Sequence, residues 1–486
     1  MRLSNIGNIL LKIFAGIFAV ISGYLMCINI FSNYGRLLPM NRVIVLVGAI
    51  AIISVLFLLK MLFNKLKDKT LVKISIIFGI ILVVLQIVFV IYCRVKPSWD
   101  FGVIFYNAYN ISNSVFDLPE YYYKFYPNNL GALLLFTAIF KIVSIFTVKE
   151  GVYLLVGCIF NIIMIDGAVV IMYVLIKNVF NLRMATLFGV LCILIVPMFT
   201  YSPIFYTDTI TMIFPAAMLL LLYNFNNSRS NMRIFYLVAI GVVGAMGIVL
   251  KTNIVIPLVA VFIYVICTNK IVKGIVNNLI ILAAFLLIFS GYKAVANYVM
   301  PIDYSEAGLP MTHWVMMGLK NSGAYNEEDV NFSASFESKK EAQKANIQEI
   351  KNRLREYGAK GYLEFLTRKI KFTWNDGTYY SVNKLSREPL ENNIIEEHVV
   401  GEKNHPFIYF SHMSHLALIT LIFISSLAAF KKKNSYRFMQ CTQIAIFGVF
   451  LFLIIWETRS RYLVCILPLM MFSAIGGLDY LGEGRN

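Results

Sequence analysis

An all-α, polytopic integral membrane protein is what this sequence predicts, and three observations predict it. Of 486 residues, 59% are apolar and only 14% are charged, against about 45–50% and 25% in soluble domains. Mean hydropathy is +0.73. The apolar residues arrive in runs approaching the roughly 20 residues that a bilayer requires, too long for ordinary buried core helices. An ordinary soluble globular protein and a disordered chain are both excluded.

Thirteen such runs occur, at roughly 9–31, 43–60, 74–93, 130–147, 152–176, 184–201, 208–223, 233–250, 254–268, 276–299, 409–430, 438–456 and 461–480. The first is long enough to span and lacks a small-residue exit, so no cleaved signal is expected. Basic loops mark the cytoplasmic side: Lys60 to Lys73, Lys177 with Arg183, Arg229 with Arg233, Lys270 with Lys273, and Lys431–Lys433 with Arg437. Between Lys73 and Lys177 the chain must cross an odd number of times. One run there does not span, and 130–147, short and carrying Lys141 after the turn at 126–129, is predicted to lie at the outer interface.

About twelve spans remain, with both termini cytoplasmic. The chain divides into two N-terminal spans (1–73), a membrane core (74–300) with an outer loop at 94–147, an extracytoplasmic helical domain (301–408), and three C-terminal spans (409–486). In 301–408 a charged, periodic stretch from Phe336 to Tyr357 is stopped by Gly358, and Gly361 to Lys371 follows as a second helix.

The formal net charge of +17 is no nucleic-acid footprint. Residues 301–408 hold 14 basic and 16 acidic residues, leaving 29 basic and 10 acidic elsewhere, mostly in the short loops between runs. All seven cysteines lie in or beside apolar runs without a CxxC spacing, so neither a disulfide framework nor a Cys-based metal site is expected. His412 and His415 lie one helical turn apart with no third ligand in view, and no metal site or other cofactor is predicted.

Laid on this topology, Asp100, Asp208, Lys251, Arg459 and Arg461 fall at one depth, the outer membrane boundary. Cations there bind phosphate oxygens, Arg as a planar fork and Lys as a point charge. A carboxylate can take a proton from an attacking hydroxyl. Blander readings stand beside these: Asp208 as a helix cap, and Arg459 and Arg461 as interfacial anchors. Asp166, within a span, reads as either a hydrogen-bonded structural group or a proton-coupling one. Tyr106, Tyr109, Tyr121–Tyr123, Phe125 and Tyr126 form an aromatic belt or, alternatively, an acceptor surface. Tyr126, Tyr206, His313 and Trp314 are the candidate acceptor or sugar contacts.

Residues 74–480 resemble the GT-C glycosyltransferases that use polyprenyl-phosphate sugars, the group with protein O-mannosyltransferases and the aminoarabinose transferase of lipid A. Four features carry the resemblance: Asp100 in the first outer loop, followed by non-crossing helices; Tyr206-Thr207-Asp208 opening a span; Lys251 in the Val249-Leu250-Lys251 hairpin; and Trp456-Glu457-Thr458-Arg459-Ser460-Arg461-Tyr462-Leu463 before a last span with Pro468. The resemblance implies inverting transfer from an undecaprenyl-phosphate-linked sugar to an envelope glycopolymer, glycolipid or protein outside the cell membrane. Asp100 is then the base, Asp208 orients the base or acceptor, and Lys251, Arg459 and Arg461 hold the donor phosphate. The first outer loop lacks the DxD of metal-dependent oligosaccharyltransferases. Two other functions stay open: a transporter or flippase of lipid-linked sugars, although no repeat is evident, and an envelope polysaccharide polymerase or ligase.

Overall fold

The computed structural model describes residues 2–32, 38–116, 119–301, 303 and 306–482, without the side chains of 2–5, 120, 121, 230 and 231. Tyr121 of the aromatic run thus lies outside the described side chains. The described residues are all-α, with no strand among them beyond a single bridge between Val95 and Pro389. Among the described residues, eleven helices are long and apolar enough to cross a bilayer, from Ile6–Phe31 to Ser460–Leu481. Two shorter apolar helices, Leu182–Leu194 and Thr252–Thr268, complete the thirteen runs.

The run at 130–147 is one of the eleven, as Pro127–Ser144. Its α-helical part, Leu130–Ser144, has 15 residues. At 1.5 Å per residue that is about 22 Å, less than the ~30 Å hydrocarbon core. It packs along Trp99–Ser112, and Lys141 Nζ donates to Ser112 O at 3.1 Å, joining the C-terminal ends of the two helices.

Burial orders the bundle. The window of Ser460–Leu481 is 94% buried and that of Arg42–Phe63 only 17%, so the last helix is the axis and the N-terminal spans are lipid-facing. His405–Ala428 packs against Leu467–Leu481 so closely that a Cβ on Gly477 would meet Leu421 O at 2.0 Å. Small residues permit such backbone approach where no water drives helices together.

The 301–408 segment is helical as expected: Met311–Met317, Glu327–Ala334 and Lys339–Trp374, the last kinked at Gly358 with φ 56°. Arg353 locks it by a two-pronged bond to Asp329 at 2.7 and 2.8 Å and a third to Met316 O at 2.7 Å. Beyond Trp374 the chain turns into the bundle: Trp374, Asp376, Tyr379 and Ser381 are buried. His415 fixes this entry, its Nε2–H donating to Trp374 O at 2.7 Å while Nδ1 accepts from Tyr379 OH at 2.8 Å.

The bundle's two ends differ. One gathers the basic loops, where Lys433 reaches Asp479 and Lys60 donates to Leu478 O and Asp479 O. At the other, three helices break.

Candidate functional site

Each break is set by local sequence and each delivers a polar side chain. Leu182–Leu194 stops at Ile195, a short turn starts at Pro197, and the next helix begins at Thr207. Proline cannot continue the ladder of hydrogen bonds, and the freed carbonyls need donors in a setting poor in water. Asn161 Nδ2 supplies them, reaching Tyr201 O at 2.8 Å, Ser202 O at 3.2 Å and Ile204 O at 3.3 Å, while its Oδ1 accepts from Thr209. The second break is the turn Thr252–Ile254, led by Lys251. The third is the 3-10 helix Ser460–Ile466, led by Arg459 and including Arg461.

Asp208 is the meeting point. It sits inside the first turn, capping nothing, and is 0% exposed. Lys251 Nζ donates to its Oδ1 at 2.7 Å. Its Oδ2 faces Lys384 Nζ at 3.5 Å and Arg461 Nη1 at 3.6 Å, and has no hydrogen-bond partner among the described residues. Neither the Lys384 nor the Arg461 side chain donates a hydrogen bond to a described residue; aromatic faces hold them instead. Lys384 lies 5.0 Å from the Tyr206 ring centre, and Arg461 lies 5.8 Å from that ring and 5.2 Å from Tyr462. One carboxylate therefore answers three cations in a buried place. Burial, then Arg461 beside it, pushes Lys384 down to about 7.

Asp100 stands on the other side of Tyr206. Its Oδ1 accepts from Tyr122 OH at 2.7 Å and its Oδ2 from Tyr206 OH at 3.4 Å. Asn129 steadies both phenols, donating to Tyr122 OH at 2.5 Å and accepting from Tyr206 OH at 3.2 Å. Burial, then Asp100, holds the Tyr122 hydroxyl far above the usual phenol range, so it stays a donor. One tyrosine thus separates a half-buried carboxylate from the cation cluster.

A further layer surrounds Tyr380. Arg459 Nη1 donates to Tyr380 OH at 2.6 Å and Arg387 Nη2 does so at 3.2 Å. The Arg459 Nε is 3.8 Å from Glu457, a carboxyl that burial pushes upward and that accepts from Tyr462 OH at 2.5 Å and Tyr325 N at 3.2 Å. Tyr379 and Tyr380 both adopt left-handed φ, 51° and 68°. Asp376 fixes that turn by accepting from Tyr380 N, Thr378 and Ser460.

Of the residues singled out from sequence, Asp208, Lys251 and Arg461 come together, and Tyr206 joins them to Asp100. Arg459, expected among the phosphate-holding cations, is turned to Tyr380 and Glu457 and is outside ion-pair distance of Asp208. Trp314 stacks on Trp456 with centroids 6.3 Å apart and approaches Tyr126 at 6.4 Å. His313 departs from the expected contacts as well. It points into the 301–408 helices, 0% exposed, with Nδ1 2.7 Å from Ser333 Oγ, and burial pushes it down to about 4. Asp166 accepts from Gln86 Nε2 at 3.0 Å. Sequence reasoning missed Lys384, Arg387, Tyr380 and Asp376. The signal that pointed there was the Asn-Asp-Gly turn and paired tyrosines after a charged helix.

A family model described as "Conserved hypothetical integral membrane protein" matches residues 3–478. No curated protein and no solved structure matches the chain.

Proposed function

The chain belongs to this family of conserved hypothetical integral membrane proteins, and from that premise we propose that it is a membrane glycosyltransferase. It moves a sugar from an undecaprenyl-phosphate-linked donor to an acceptor on the extracytoplasmic side, with both termini cytoplasmic. One observation carries the reading: Lys384 and Arg461 stand 3.5 and 3.6 Å from Asp208 with their N–H donors uncommitted, beside Lys251. Such a cluster is incomplete without an anion, and a phosphate diester whose tail stays in lipid is the anion this position suits.

In the reaction the acceptor oxygen attacks the anomeric carbon while Asp100 takes its proton. The bond from that carbon to the phosphate oxygen breaks, and its electron pair stays on the departing polyprenyl phosphate. The added negative charge falls beside Lys251, Lys384 and Arg461, which are already oriented and shielded from water, where fixed charges stabilise it most. Tyr122 and Tyr206 hold both Asp100 oxygens, presenting them to one face of the site.

The test uses protein in lipid nanodiscs with an undecaprenyl-phosphate-linked hexose and a cell-envelope fraction as acceptor. Wild type releases undecaprenyl phosphate; Asp100→Asn lowers that release by about 10²–10⁴-fold and still binds undecaprenyl phosphate. Undiminished turnover in this variant removes Asp100 as the base. Movement of intact donor across the bilayer without cleavage replaces the transferase reading by a flippase.

A further inference from the structure

We propose that Trp99, Tyr325, Tyr380 and Arg387 form the acceptor platform, and that the acceptor is an anionic glycan or polyol: a hydroxyl-rich chain bearing phosphate or carboxylate groups. This rests on the glycosyltransferase reading and deepens it.

Trp99 directly precedes Asp100 and is 65% exposed. Its φ is 55°, a left-handed conformation that a bulky side chain rarely adopts and that persists only where the surroundings enforce it. A headgroup anchor alone asks for no such strain. The strained backbone, one residue before the base, sets the indole in a built environment. Arg387 lies over the indole at 5.2 Å and over the Tyr380 ring at 5.7 Å, and Tyr325 meets the indole edge-on at 6.3 Å.

The guanidinium is held between two aromatic rings and underused. A guanidinium has five N–H donors, and Arg387 gives one hydrogen bond, to Tyr380 OH, among the described residues. It has no carboxylate within ion-pair distance among them; the adjacent Glu388 turns to Lys96 at 3.9 Å. Arg459 adds a second cation at the same phenol oxygen. A neutral sugar needs an aromatic face, and a bare anion needs only cations. A planar fork stacked on an exposed indole suits a chain that offers both a ring or polyol and a fixed negative charge. Trp99 precedes the base in sequence, and Arg387 lies one helical turn beyond Lys384 of the Asp208 cluster, so the platform adjoins both the base and the donor-phosphate cations.

The experiment measures binding of three probes of matched length to the full chain in nanodiscs at one ionic strength: oligo(glycerol phosphate), oligogalacturonate and a neutral maltooligosaccharide. Undecaprenyl phosphate is titrated in parallel. At least one anionic probe binds about tenfold or more tightly than the neutral one, and the two anionic probes separate phosphate from carboxylate recognition. Arg387→Gln removes the preference, and Arg387→Lys, which keeps charge without the fork, restores only part of it. Trp99→Phe, the milder change at the indole, weakens the preferred anionic probe. Trp99→Phe leaves undecaprenyl phosphate binding unchanged. Equal affinity for neutral and anionic probes, or an unchanged preference in Arg387→Gln, overturns the proposal even if undecaprenyl phosphate binds. An Arg387-dependent anionic preference in a protein that ignores undecaprenyl phosphate keeps the anionic-glycan site and removes the transferase reading.

Discussion

Lys433 meets Asp479 at 2.8 Å at the basic-loop end, and Lys251 meets Asp208 at 2.7 Å at the other. The separations match; the surroundings do not. Lys433 keeps 43% of its side chain exposed over a buried Asp479 at 11%, whereas Lys251 keeps 10% and Asp208 1%. A pair whose cation reaches water is screened from that side and contributes toward the 0–1 kcal/mol of surface pairs, about 1 kcal/mol. In a buried one, losing either partner leaves an uncompensated charge and costs about 3–5 kcal/mol. The comparison teaches that burial and local charge balance, more than distance, separate a surface contact from a site.

Asp208→Asn therefore gives the largest effect. Lys251, Arg461 and the charged fraction of Lys384 then lose the carboxylate they share, and the expected loss is about 3–5 kcal/mol, seen as a large fall in apparent Tm or in folded yield. Adding Lys384→Met to Asp208→Asn removes one of the repelling charges and recovers part of the loss. If the double variant is no more stable than the single one, Lys384 does not share the Asp208 charge, and the contrast between the two ends fails.

Lys384 also makes the cluster sensitive to pH. Its ordinary value of 10.5 is brought down to about 7 by burial and by Arg461. A phosphate anion arriving beside it favours the charged form and raises that value again, so binding takes up a proton above pH 7. Affinity for the undecaprenyl-phosphate-linked hexose, a diester whose single charge is constant in this range, is then highest below pH 7, where Lys384 is already charged, and falls as pH rises to 8.5, by at most about tenfold per unit. Lys384→Met is weaker at pH 6 and flat across that range. A wild-type profile equally flat would show that Lys384 does not contact the phosphate.

The same contrast explains what was legible in the sequence. Apolar run lengths reveal all thirteen membrane-associated helices because the bilayer demands a nearly fixed number of residues, and Gly358 announces its kink. Asp208, Lys251 and Arg461 stand out as charges at the edges of apolar runs, where charge is costly and rare. Lys384 could not be found that way. It lies in a segment rich in lysine, on the five-residue helix Ser381–Leu385, too short to show periodicity. Only the fold carries it under the bundle's edge. His313 misled for the opposite reason: its neighbour Trp314 faces Trp456 and Tyr126, while the turn of Met311–Met317 sends the imidazole inward to Ser333.

Lys433→Ala tests the basic-loop end and should do least. Asp479 keeps a donor in Tyr436 OH at 2.9 Å, and Lys60 still satisfies the carbonyls of Leu478 and Asp479 at 2.8 Å each. The lost attraction was shared with water, so the cost is no more than about 1 kcal/mol. Apparent Tm should fall by no more than about 2–4 °C, and less at high salt, where the wild-type pair is itself screened. Undecaprenyl phosphate binding should be unchanged, because no member of this pair lies at the broken-helix end. A loss as large as that of Asp208→Asn would mean that Lys433 and Asp479 are as poorly hydrated as Lys251 and Asp208, and that exposure does not separate the two pairs.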